Sequence, residues 1–142
     1  MSNFRGLRLL LLFWVLALLL TGCETREQPT PDPKEGKYVI YYMNAAGTKL
    51  VPRAYEASSE SHEGLIEELM EQFLKVPKDL DAQPALTDKV TYQYSHLKDQ
   101  VLYLYFDVNY TTMKPEREIL CRAALTRMLT QVEGIDYINI YC

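Results

Sequence analysis

The stretch Gln100-Val-Leu-Tyr-Leu-Tyr-Phe-Asp107 is the part of the sequence that indicates the fold most clearly. Successive side chains of a strand point to opposite faces. One face here carries Val101, Tyr103 and Tyr105, and the other carries Leu102, Leu104 and Phe106. A sheet with helices on one side usually alternates apolar with polar residues. The stretch therefore predicts a strand whose second face carries tyrosine where a solvated sheet would carry polar side chains.

The segments on both sides of this strand predict five strands and two helices in all. The predicted strands are residues 38–43, 49–54, 89–94, 100–107 and 135–141, and the predicted helices are residues 61–74 and 115–133. Strands are recognised by β-branched and aromatic runs, and helices by apolar residues at three- and four-residue spacing. The order β-β-α-β-β-α-β indicates a single α+β domain over residues 38–142, with a mixed sheet and both helices packed on one face.

Proline and glycine predict several local features of this domain. Pro52 lies within the second strand, and because proline cannot donate to a ladder, that strand is expected at a sheet edge. Pro115 is a good first residue for the second helix, and Gly134 is expected just past its last turn. A turn at residues 96–99 is expected to join the third and fourth strands.

The first 23 residues resemble the export signal of a bacterial lipoprotein. Arg5 and Arg8 form a positive start, and residues 9–20 form an apolar run that is shorter than the roughly 20 residues of a membrane span. Leu20-Thr-Gly-Cys23 matches the lipobox. The resemblance implies that Cys23 receives a diacylglyceryl group and that a signal peptidase cuts before it. An ordinary signal peptide with a chance cysteine is the alternative.

The resulting organisation is a signal peptide at 1–22, a lipidated Cys23 with a flexible tether to residue 37, and a folded domain at 38–142. Residues 24–37 contain three prolines and no large apolar residue, which is typical of an extended tether. Without Arg5 and Arg8 the chain has 13 basic and 19 acidic side chains, a net charge of −6. This balance argues against nucleic acid as a partner and against a second, electrostatic contact with anionic lipid. We expect a position on the extracytoplasmic face of the cell membrane, held by lipid.

Several stretches together resemble the GerMN domain of sporulation and spore-germination lipoproteins. They are residues 41–53, residues 65–77, Leu102-Tyr-Leu-Tyr-Phe-Asp107, residues 125–129 and residues 132–140. The resemblance implies a non-catalytic structural or protein-binding module, without catalytic residues or cofactor, that supports assembly of a sporulation or germination complex. The family pattern continues past the last strand into a Gly-containing turn, so a final hairpin segment is expected to be missing here.

Few residues suggest catalysis, metal binding or disulfide formation. His62 and His96 are the two histidines, and because a zinc site needs three or four convergent ligands, both are interpreted as solvated. The carboxylates Glu67, Glu68 and Glu71 are interpreted as the solvated face of the first helix. Cys121 and Cys142 could form a disulfide outside the cytoplasm, but one buried thiol and one near a strand end is the favoured interpretation.

Tyrosine is the unusual residue, with 11 in the chain. Tyr92 and Tyr94 are expected to share a face beside Tyr103 and Tyr105, and Tyr41 could join either stripe. Two interpretations stay open: a cross-strand ladder that stabilises a solvated face, or a surface that binds protein partners or further copies of the chain. A lipoprotein that binds a small ligand or the cell wall is the alternative function. No enzyme activity and no small-molecule substrate is predicted.

Overall fold

The computed structural model describes residues 37–142. The predicted signal peptide, the predicted lipid attachment at Cys23 and the tether up to residue 36 lie outside the described residues. The strands are β1 (Lys37–Asn44), β2 (Leu50–Glu56), β3 (Ala82–Gln83), β4 (Tyr92–Lys98), β5 (Val101–Phe106) and β6 (Tyr137–Tyr141). The helices are α1 (His62–Leu74), a 3-10 helix (Val108–Thr112) and α2 (Pro115–Leu129). Neither α1 nor α2 combines the length and apolarity that a bilayer crossing requires, and the same holds for every helix in the described range.

The predicted single α+β domain is confirmed, and its strands divide between two three-stranded sheets. The first sheet has the order β2-β1-β3 and is antiparallel. The second has the order β4-β5-β6, in which β4 is antiparallel and β6 parallel to β5. Both edges of β1 and both edges of β5 are occupied, so these two central strands cannot pair with each other. The parallel pairing of β5 and β6 needs a crossover connection, which α2 supplies.

One hydrophobic core joins the helices to both sheets. The helix residues buried in it are Leu65, Ile66, Leu69, Met70 and Phe73 of α1, and Cys121, Ala124, Leu125, Met128 and Leu129 of α2. The second sheet contributes Leu102, Leu104 and Phe106, and the first contributes residues 39–43. The helices start within one residue of the predicted positions. α1 begins at His62, after Ser61, whose Oγ accepts a hydrogen bond from the Gly64 amide at 3.1 Å, and Pro115 is the first residue of α2.

Edge placement of the second strand is also confirmed. β2 is an outer strand of the first sheet, and Pro52 lies opposite Tyr41 of β1. Proline fits an edge strand because it has no amide hydrogen to donate, and an edge strand has no second neighbouring strand that would need one.

The turn before β5 lies later than predicted. β4 continues through Lys98, and the reversal occurs at Asp99 and Gln100, whose φ angles are 51° and 64°. Two successive positive φ angles are characteristic of the two-residue type I′ hairpin turn, whose twist matches that of the strands. The prediction of a four-residue turn was therefore wrong. Nothing in the sequence marked a two-residue turn, because neither Asp99 nor Gln100 is the glycine that usually occupies one.

Helix α2 also ends earlier than predicted, at Leu129 rather than next to Gly134. The Thr130 hydroxyl donates to the Thr126 carbonyl at 2.7 Å, and the Gln131 side-chain amide donates to the Met128 carbonyl at 3.0 Å. These bonds satisfy carbonyls that the end of a helix leaves without partners. Gly134, with a φ of 81°, shapes the following turn instead.

The side chain of Gln131 also binds the start of β1. Its Oε1 accepts from the Val39 amide and its Nε2 donates to the Val39 carbonyl, both at 2.9 Å. On that edge of β1, β3 pairs only with Met43 and Asn44. The glutamine amide therefore replaces a strand residue at Val39 and attaches β1 to the end of α2.

Candidate interaction surface

The face of the second sheet that points away from the core carries aligned aromatic side chains. We call this the aromatic face, defined by Tyr94, His96, Tyr103, Tyr105 and Tyr141. In the strand register, Tyr94 lies opposite Tyr105, which lies beside Tyr141. His96 lies opposite Tyr103 in the next row. The alternation seen in residues 101–106 is therefore confirmed, with Leu102, Leu104 and Phe106 buried on the other side.

The rings of the aromatic face stack on one another across all three strands. Tyr94 and Tyr105 have ring centroids 4.4 Å apart at 13°, and Tyr105 and Tyr141 are 5.3 Å apart at 17°. His96 stacks on Tyr103 at 4.8 Å and 7°. Stacked rings restrict each other's orientation, so these side chains hold each other in place on the partly exposed face.

His96 is exposed, as interpreted from the sequence, but it lies in β4 and not in a turn, and its ring is part of the aromatic face. Its position follows from the later turn, because β4 extends through Lys98 and brings the imidazole opposite Tyr103. The sequence contained a signal for this, since Tyr94 and His96 are two residues apart and two-residue spacing places side chains on one face.

Tyr92 does not join Tyr94, contrary to the prediction. The register shifts between them, so Tyr92 lies opposite Phe106 and Tyr94 lies opposite Tyr105. The Tyr92 and Phe106 centroids are 5.7 Å apart, and burial raises the pKa of Tyr92. A β-bulge of this kind adds one residue and reverses which face the neighbouring side chain occupies. Tyr41 joins neither stripe, because it is buried in the first sheet, beneath Arg127.

An open groove of about 790 Å³ borders the aromatic face at Tyr94. Its lining includes three tyrosines and three carboxylates: Tyr55, Tyr92, Tyr94, Glu67, Glu68 and Glu71. Glu67 and Glu71 are exposed, as expected of a solvated helix face. The groove brings an acidic rim next to aromatic rings, a combination suited to amphipathic ligands.

Glu68 has a structural role that the sequence did not reveal. Its Oε1 accepts from the Tyr55 hydroxyl at 2.7 Å and from the Ser58 amide at 2.9 Å, and its Oε2 accepts from the Ser59 amide at 2.8 Å. Hydrogen bonds from Ser59, Ser58 and Tyr55 lower the pKa of the Glu68 carboxyl to about 2. Glu68 thus holds the segment between β2 and α1 against the helix. The adjacent serines upstream of α1 were the available signal.

Titratable residues elsewhere in the described domain do not suggest a metal site. Within residues 37–142, no three His, Cys, Asp or Glu side chains come together as metal ligands. His62 begins α1, and its Nε2 contacts the carbonyl oxygen of Glu133. Cys121 and Cys142 are both free thiols: Cys121 is buried, which raises its pKa to about 12, and Cys142 is exposed.

Comparison with known families gives a match over nearly all of the described domain. The family model Germane, described as sporulation and spore germination, matches residues 39–142. Among curated proteins, no significant match to this sequence is found.

Solved structures share the fold at low sequence identity. The first GerMN domain of the sporulation protein GerM from Bacillus subtilis is 16% identical, with a TM-score of 0.59 over 73% of this chain and 80% of that one. The tandem GerMN domains of the same protein are 19% identical, with a TM-score of 0.53 over 73% of this chain and 38% of that one. A candidate lipoprotein from Clostridium perfringens is 18% identical, with a TM-score of 0.48 over 77% and 76% of the two chains.

Proposed function

Because the chain belongs to the Germane family of sporulation and spore-germination proteins, we propose that it is a lipid-anchored, non-catalytic module that binds protein partners. In this proposal Cys23 carries the lipid, residues 24–37 form a tether, and the domain lies at the extracytoplasmic face of the membrane. Its partners belong to a complex that assembles during sporulation or germination. The lipobox supports the attachment, and the aromatic face supports the binding.

The observation that carries the binding proposal is the exposure of aligned rings on a rigid sheet. Tyr94 is 53% exposed and Tyr141 is 47% exposed, although large aromatic side chains usually gain by burial. Tyrosine is enriched at the cores of protein interfaces. Because the rings are already stacked on each other, a partner would immobilise few free rotamers, which reduces the entropy lost on binding.

The test replaces two central rings and compares binding with stability. A partner is first captured in sporulating cells with a photo-crosslinking residue at position 141, identified, and purified. Calorimetry then compares the wild type with the Tyr103→Thr, Tyr105→Thr double variant. We expect roughly tenfold or greater loss of affinity, with the unfolding temperature lowered by only a few degrees.

The matched control is Ile119→Thr, which removes an exposed apolar side chain of α2 outside the aromatic face. It should leave affinity unchanged. If the double variant binds normally, or loses its fold rather than its affinity, the aromatic face is a stabilising ladder and the binding proposal fails.

The groove beside Tyr94 favours one alternative, a lipoprotein that binds a small ligand or the cell wall. Sugar rings pack well on aromatic side chains, and the rim carboxylates Glu67 and Glu71 could bind amino groups of a peptide stem. Titration with muropeptides, followed by tyrosine fluorescence, distinguishes the two functions. A monomer that binds muropeptides and no protein partner supports the alternative.

A further inference from the structure

We propose that two copies of this chain pair through the free edge of β6, antiparallel and centred on Asn139, to form one continuous six-stranded sheet. Within residues 37–142, β5 is the strand that pairs with β6, and the opposite edge of β6 has no strand beside it. The inference goes beyond the proposed function, because pairing of β6 does not depend on whether the aromatic face binds other proteins.

The other three sheet edges carry features that prevent edge-to-edge pairing, and β6 does not. Proteins protect exposed edges with proline, charged side chains, bulges or very short strands. β2 contains Pro52 and Arg53, β3 has only two residues, and β4 has a bulge and ends in Lys98. The sequence of β6 is Tyr-Ile-Asn-Ile-Tyr, without charge, proline or bulge. Its edge is therefore open to another strand.

The sequence of β6 is a palindrome about Asn139. In antiparallel pairing centred on this residue, Asn139 faces Asn139 of the second copy and Ile138 faces Ile140. Tyr137 then faces Tyr141 of the second copy, and the same pair recurs on the other side of the two-fold axis. Each side chain meets its own type, which is the self-complementarity that an isologous interface requires.

The hydrogen-bonding direction of the backbone suits the same register. The Tyr137 amide donates to the Gln100 carbonyl at 3.2 Å, toward β5. Backbone groups alternate in direction along a strand, so those of Ile138 and Ile140 point to the free edge. In the proposed register Ile138 and Ile140 exchange both hydrogen bonds with their counterparts, four in all, and Asn139 occupies the non-hydrogen-bonded position at the centre.

The side chains that this pairing covers are unusually exposed for their size. Tyr137 is 68% exposed, and it would pack against Tyr141 of the second copy. Cross-strand aromatic pairs stabilise antiparallel sheets, and the two-fold axis keeps both aromatic faces on the same side. The paired sheet would therefore present the aromatic faces of both copies as one surface twice as wide.

The test uses the full-length chain in cells, with a single engineered thiol in a Cys142→Ser background. In a non-hydrogen-bonded antiparallel pair the Cα atoms are about 4.5 Å apart, within the range that a disulfide spans. We expect Asn139→Cys to form a disulfide-linked dimer under mild oxidation, seen on a non-reducing gel of the membrane fraction. Gln93→Cys, on the opposite edge strand, is the matched control and should stay monomeric.

A charge at the centre gives a second, independent readout. Asn139 is exposed, so Asn139→Lys should fold normally while placing two like charges opposite each other across the axis. Light scattering of the solubilised full-length protein should show a dimer for the wild type and for Gln93→Lys, and a monomer for Asn139→Lys.

Three results would overturn the inference. These are a wild type that is monomeric at high concentration, equal crosslinking at positions 93 and 139, and an oligomer that Asn139→Lys leaves intact. If Asn139→Lys does not fold, as judged by circular dichroism, the crosslinking comparison decides alone.

Discussion

At the scale of single residues, Glu68 shows how a carboxylate on a helix surface can organise a neighbouring segment. Its oxygens receive hydrogen bonds from Tyr55, Ser58 and Ser59, and its pKa is lowered from 4.5 to about 2. Because the folded state favours the charged form, this carboxylate stabilises the fold above pH 4.5. The stabilisation is lost as the pH falls from 4.5 toward 2.

We therefore predict that Glu68→Gln lowers the free energy of unfolding at neutral pH. The difference from the wild type should shrink as the pH falls through this window, because both side chains are then neutral. Urea titrations at a series of pH values measure it. Glu67→Gln, one residue earlier on the same helix, is the control and should show little difference; an equal effect at both positions would contradict the anchoring role of Glu68.

Tyr110, in contrast to Glu68, carries a polar group that has no hydrogen-bond partner in the described part of the chain. This group, the hydroxyl, is buried. Burial raises its pKa, with the neighbouring Cys121 adding to the effect. A buried polar group without a partner costs roughly 1–3 kcal/mol.

We expect Tyr110→Phe to leave stability unchanged or to raise it by up to about 1 kcal/mol, because the ring packing is kept and only the hydroxyl is removed. Thermal unfolding by circular dichroism measures the change. Tyr55→Phe removes a hydroxyl that does bind, to Glu68, and should instead destabilise. A clear loss of stability in Tyr110→Phe would mean that its hydroxyl is satisfied.

At the scale of elements, the hairpin turn between β4 and β5 contains one residue poorly suited to it, Gln100, beside Asp99, a residue type that such turns favour. Gln100 has a φ of 64°, a left-handed conformation that costs a non-glycine residue roughly 1–2 kcal/mol. We predict that Gln100→Gly raises the free energy of unfolding by about 0.5–1 kcal/mol, after allowing for the greater freedom of glycine in the unfolded chain.

The backbone bonds that the Gln100 carbonyl accepts from Asp136 and Tyr137 are kept in this variant. Lys98→Gly, in the neighbouring strand, is the control and should destabilise by about 0.5–1 kcal/mol. Chemical denaturation of both variants gives the comparison. A destabilised Gln100→Gly would show that the turn tolerates glutamine without strain.

The order of the longer elements and the position of Pro115 at the start of α2 were predictable because they depend on side-chain periodicity and on proline. The two-residue β3 and the 3-10 helix were not predicted, because they are too short to show a period. The exact reversal at Asp99 was not, since no glycine marks it. The bulge that separates Tyr92 from Tyr94 was not predictable either, because it changes the register without a local signal. For the candidate surface, the alternation in residues 101–106 identified Tyr103 and Tyr105. The two-residue spacing of Tyr94 and His96 was a further signal, whereas Tyr141 became visible only when strand pairing placed it beside Tyr105.

At the scale of the whole molecule, the lipid attachment is the part of the proposal most directly open to test. We predict that full-length Cys23→Ala fails to incorporate labelled palmitate and leaves the membrane fraction, whereas Cys142→Ala behaves as the wild type. One acyl chain gives marginal attachment and several make it stable, so the change in fractionation should be large. Labelled lipid on Cys23→Ala would place the attachment elsewhere.

If Cys23 anchors the domain as proposed, the two hydrogen bonds between Gln131 and Val39 have a mechanical consequence. A pull on the tether enters the fold at Lys37, which pairs with Glu56 of β2 by a salt bridge of 3.1 Å. Two residues later, Gln131 holds Val39 by both its amide and its carbonyl. Tension is therefore shared at once between β2 and the end of α2. In that proposed arrangement the first strand would resist peeling, and the domain would bear load between the membrane and the proposed partners.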